Sequence, residues 1–114
     1  MGSPSDLAAI LERVDEHEYV RFTAHWLTDA QDLDEEPALT GNSVIDALVA
    51  AASALLGMRR LGQEPAWTTH ESRALRTRLW HPGNPNMLAY SLVRAPASFI
   101  VRGVVVDEES LVSI

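Results

Sequence analysis

Apolar residues recur along the first half of the chain at helical spacing. Leu7, Ile10, Leu11 and Val14 fall on one face and predict a helix over about residues 4–14. Ser3 or Ser5 can cap its start, and Pro4 is tolerated in a first turn. A second stripe of Tyr19, Phe22, Trp26 and Leu27, flanked by Val20, predicts a helix that Asp15 caps and that ends near Ala30 or Gln31. Residues 29–37 are polar and acidic, and Pro37 stops any continuation. The longest pattern covers about residues 43–61, capped by Asn42 or Ser43. Val44, Ile45, Leu48, Val49, Ala52, Leu55, Leu56 and Met58 occupy much of its circumference, as expected of a central helix. Arg59 and Arg60 suit its last turn, and Gly62 suits a left-handed cap.

The second half has shorter patterns and more breaks. Thr68-Thr69-His70-Glu71 reads as a capping box opening a short helix through Arg78. Trp80-His81-Pro82-Gly83 reads as a turn, and Asn84-Pro85 opens a helix containing Met87, Leu88, Tyr90 and Leu92. Ala95-Pro96 breaks that helix and starts a shorter one with Phe99 and Ile100, ended by Gly103. Val104-Val105-Val106 reads as extended, and Asp107 caps a last turn through Leu111. The expectation is an all-α, compact bundle of about five to six helices with a short extended segment near the C-terminus. Residues 1–114 fit a single domain.

Charge divides the chain unevenly. The net charge is −7. Residues 1–56 hold eleven acids against Arg13 and Arg21, whereas residues 57–114 hold seven arginines against five acids. An acidic chain is a poor non-specific DNA binder, because phosphate attraction supplies most of that affinity. The acidic half suits a basic partner surface, or is simply a solvated face. There is no cysteine, so disulfides and thiolate chemistry are excluded, in keeping with a reducing compartment. Met1–Asp6 lack a basic leader pattern, and no apolar run approaches the roughly 20 residues that span a bilayer. A cytoplasmic location is expected.

Few constellations carry chemistry. His17 and His25 lie eight apart, not the three or four of helical metal pairs, and His70 and His81 are isolated; no metal or cofactor is expected. Asp29, Asp32, Asp34, Glu35 and Glu36 form an acidic cluster, but an EF-hand count from Asp29 places Asp34 where glycine belongs and Thr40 where glutamate belongs. The serines lie outside any nucleophile elbow, and six scattered glycines form no phosphate loop, so an enzyme is not expected. Arg59, Arg60, Arg73, Arg76 and Arg78 form the basic region. With Trp67 and Trp80 nearby they would grip phosphate or a base, or pair with the acidic half.

One stretch carries a resemblance. Pro65-Ala66-Trp67-Thr68, then Trp80-His81-Pro82, then Leu92 through Asp107 with its Ala95-Pro96-Ala97-Ser98-Phe99 and Arg102-Gly103-Val104-Val105-Val106, resembles the C-terminal helical module of actinobacterial xenobiotic-response-type helix-turn-helix regulators and of toxin–antitoxin operon proteins. The likeness covers residues 55–114 and departs from that pattern at His81, Ala95 and Val101. No helix-turn-helix precedes it. Abundant alanine and the absence of lysine agree with a GC-rich, actinobacterial source. The resemblance implies an antitoxin-like protein that neutralises a toxin encoded nearby by occlusion. Asp29, Asp32, Asp34, Glu35, Glu36, Trp67, Trp80 and Arg94 are the expected contacts. A transcriptional regulator using the five arginines, or a non-catalytic helical oligomerisation or ligand-binding module, are the alternatives; a homo-oligomer fits the last.

Overall fold

A computed structural model describes residues 2–112 of the chain. Met1, Ser113 and Ile114 belong to the expected domain but lie outside the described residues. Helix α1 spans Pro4–Arg13. Ser3 is its cap: the Asp6 amide donates to Ser3 Oγ at 3.2 Å, and the Ser3 amide donates to Asp6 Oδ2 at 3.0 Å. That reciprocal pair satisfies two amides the first turn would otherwise leave open. A 3₁₀ turn at Glu16–Glu18 leads into α2, Tyr19–Leu27. It ends earlier than its apolar stripe predicts, because Thr28 Oγ1 donates to the His25 carbonyl at 2.7 Å and the chain turns away. The Gln31 amide then donates to the Gly2 carbonyl at 2.7 Å, tying the loop to the N-terminus.

Helix α3, Ser43–Leu61, matches the expected central helix. Asn42 Oδ1 accepts from the Val44 and Ile45 amides at 3.0 and 3.3 Å, and Gly62 closes the far end at φ 75°. Every residue from Ile45 to Gly57 is buried. The alanines at 47, 50, 51, 52 and 54 let α1, α2 and the C-terminal half close in around it. The buried apolar side chains form one cluster, from Leu7 and Leu11 through α3 to Phe99, Val104 and Leu111.

After α3 the chain folds differently from its sequence signals. The expected helix through Arg78 is replaced by two 3₁₀ turns, Ala66–Thr69 and Glu71–Arg73, and residues 74–78 are irregular. Thr68 does not cap: its hydroxyl donates to the Pro65 carbonyl at 2.6 Å. His70 is extended, at ψ 142°, and breaks the run. The Leu75 amide donates to the Arg102 carbonyl at 2.9 Å. The expected extended segment pairs as a single parallel bridge between Trp80 and Val104. Helix α4, Leu88–Arg94, follows a 3₁₀ turn at Pro85–Met87, and α5, Ala97–Ile100, seats Phe99 in the core. A last 3₁₀ turn, Glu108–Leu111, begins at Asp107 as expected. The fold is all-α, with five α-helices among the described residues. None of them is long and apolar enough to cross a membrane.

Candidate functional site

The acidic segment between α2 and α3 has no regular secondary structure, yet it is pinned along its length. Ala30, Leu33 and Pro37 are buried and alternate with exposed acids. Each of these three residues offers its carbonyl to a long side chain from beyond the middle of α3. Arg60 Nη1 donates to Ala30, the Trp67 indole donates to Leu33 at 2.8 Å, and Arg73 Nη2 donates to Pro37. Asp29, Asp32, Asp34, Glu35 and Glu36 are therefore exposed on a backbone that hydrogen bonds hold in place. Asp32 adopts φ 53°, a left-handed conformation that aspartate tolerates better than most residues. Glu35 accepts from the Ser5 amide at 3.3 Å, and hydrogen bonds from Ser5 hold its carboxyl below the ordinary glutamate value.

Behind the loop lies a buried arginine. Arg73 is 1% exposed, with its guanidinium 5.0 Å from the Trp67 ring centre. Glu36 lies 3.9 Å from one end and the buried Asp46 lies 4.0 Å from the other. Burial lowers the Arg73 pKa, while Asp46 and Glu36 oppose that effect. Its Nε and Nη1 meet no hydrogen-bond acceptor among the described residues. An open hollow lined by Asp34, Glu36, Ala66 and Trp67 joins this loop to the 3₁₀ turn beside it. The tertiary structure thus brings Trp67, itself buried, together with two of the acids named from the sequence, Asp34 and Glu36.

Trp80 and Arg94 are not brought to that surface. The Trp80 indole donates to Glu16 Oε2 at 2.8 Å, and its ring lies 6.2 Å from Tyr19. Burial, with Glu16 nearby, raises the Tyr19 phenol. Arg94 stacks 3.7 Å over the Tyr90 ring on α4. The sequence-named arginines are likewise dispersed. Arg59 pairs with Glu108 at 3.1 Å, Arg76 pairs with Glu71, Arg60 holds the acidic loop and Arg73 is internal. Arg73 and Arg76 share no helical face, because no helix forms there. Arg78 is exposed in a groove with Thr77 and Trp80. Arg102 is buried and engaged: it donates to the Thr68 and Ser98 carbonyls and to Glu64.

One arrangement was not legible in the sequence. His81 Nε2 lies 3.0 Å from Ser91 Oγ, a nucleophile-to-base distance, although the histidine precedes the serine by ten residues. Ser91 is buried, and the pair ties α4 to the turn at Trp80, so a structural latch accounts for it. His17 and His25, which their spacing already sets near one helical face, line one groove with Arg21 and Phe22 of α2 and with Ser110 and Val112. Among the described residues, no three His, Asp or Glu side chains converge as metal ligands.

The chain matches no family model, no curated protein and no solved structure.

Proposed function

We propose that this chain is a non-enzymatic binding protein that neutralises a basic partner protein by covering its working surface. The natural instance is an antitoxin acting on a toxin encoded beside it. The observation that carries the reading is the pinned acidic loop. Five exposed carboxylates stand on a backbone held by Arg60, Trp67 and Arg73. Charges held in place before binding steer a cationic partner and lose little freedom on contact. The resemblance of residues 55–114 to toxin–antitoxin operon proteins supplies the biological setting.

Co-expression with the product of the adjacent gene, followed by pull-down and a growth assay, tests this directly. Co-purification with relief of toxicity is expected, with association weakened by salt. The Asp29→Lys/Asp34→Lys variant should fold normally and lose partner association about tenfold or more, chiefly in on-rate. Trp67→Phe keeps an aromatic ring but removes the Leu33 tie, and should weaken binding by a smaller factor. Absence of both co-purification and relief removes the reading. Salt-sensitive gel shifts with nucleic acid alone would favour the arginine-based regulator instead.

A further inference from the structure

We infer that the outer face of α4, with the groove beside it, is a self-complementary surface on which a second copy of this chain docks. Helix α4 is the least integrated α-helix of the fold. It buries Ser91 alone and packs chiefly on the turn that precedes it. Its solvent side carries Tyr90, Val93 and Arg94, and Val93 is 81% exposed. Isolated exposed valines are ordinary, but this one stands at the rim of a groove whose other apolar wall is Val112, 64% exposed. Ala95 completes the apolar lining, so a ridge and a hollow of matching chemistry lie side by side.

Charge identifies the occupant. One rim of the groove is Arg94, and the other is Glu108 and Glu109. Glu108 is paired with Arg59, whereas the Glu109 carboxylate forms no ion pair among the described residues. Arg94 is held over Tyr90 and has no carboxylate partner among them either. A two-fold axis through the groove sets each Val93 into the other copy's hollow and each Arg94 against the other copy's Glu109. Self-complementarity of this kind is what an isologous interface requires. A basic or an acidic partner would satisfy only one of the two rims, whereas a second copy satisfies both.

Sedimentation equilibrium of the full chain across concentration tests this. A weak, concentration-dependent dimer is expected. Val93→Glu should weaken it about tenfold or more by placing a charge in an apolar contact, and Leu39→Glu, at an exposed site beside α1, should leave it unchanged. Arg94→Glu and Glu109→Arg should each weaken it, and the double exchange should restore it. Thermal melts of each variant verify the fold. A monomer at every concentration overturns the inference, as does a dimer indifferent to Val93→Glu. Failure of the double exchange to restore pairing overturns the two-fold arrangement. None of these results bears on the acidic loop, whose partner is a different molecule.

Discussion

Two buried arginines should respond unequally to the same substitution. In Arg102→Met the stem keeps its volume and all donors vanish. The Thr68 carbonyl loses bonds from Nε at 3.1 Å and Nη2 at 2.9 Å, and the Ser98 carbonyl loses one from Nη1 at 2.8 Å. Both residues are buried, so neither carbonyl regains water easily. Each orphaned acceptor costs about 1–3 kcal/mol, giving about 4 kcal/mol together. Glu64, 26% exposed at its side chain, turns to solvent and adds little. Arg73→Met also removes a donor, from the Pro37 carbonyl. It also eliminates two buried nitrogens, Nε and Nη1, that meet no acceptor among the described residues, and a cation whose burial is unfavourable. Asp46 keeps both Thr40 donors at 2.9 Å. Against those gains, the buried Asp46 loses its counter-charge and the buried Pro37 carbonyl its donor, so gain offsets only part of the loss and Arg73→Met should cost about 2 kcal/mol. Urea unfolding followed by far-ultraviolet circular dichroism separates the two. With a slope of about 1.5 kcal/mol per molar, Arg102→Met should shift the midpoint down by about 2.5 M and Arg73→Met by about 1.3 M. If Arg102→Met stays within about 1 kcal/mol of the parent, or Arg73→Met costs as much as Arg102→Met, the hydrogen-bond reasoning is wrong.

Two further outcomes are expected. The Asp6 carboxyl is held below its ordinary value of 3.8, first by the Ser3 amide, so its contribution is present above that value and lost as pH falls through the lower folded value. Asp6→Asn should therefore flatten the decline in unfolding free energy between neutral and strongly acid pH, and an unchanged slope in urea titrations would count against the capping role. Gly103→Ala should destabilise by about 2–3 kcal/mol, because the position sits at φ 80° and a Cβ would meet Leu75 Cβ at 2.9 Å; a melt matching the parent would contradict that.

The sequence was most legible where an element is specified by its own residues. Helix α3 carries its cap, its apolar circumference and its glycine stop within residues 42–62, and all three formed as read. The Ser3–Asp6 box was half-visible, with Ser5 an equal contender until geometry chose Ser3. The stretch from Thr68 to Arg78 misled because its capping signal is local while its fold is not. Arg73 and Trp67 are drawn inward by carbonyls of the acidic loop, more than thirty residues earlier, and those ties outweigh weak helical propensity. The acidic cluster was visible as composition. That it stands on a pinned backbone, with Trp67 beside it, was not.

What the sequence determined by itself is the inventory of elements: the all-α class, the central position of α3, the breaks at Pro96 and Gly103, and the concentration of acid before α3. These follow from periodicity and from backbone chemistry that acts within a few residues. Only the tertiary structure decided which charged groups are available. It buried Arg73 and Arg102, paired Arg59 and Arg76, and left the loop acids, Arg94 and Glu109 facing solvent. An arginine's role depends on which acceptors the folded chain brings within reach. Those acceptors are backbone carbonyls and carboxylates distant in sequence, which no local pattern encodes.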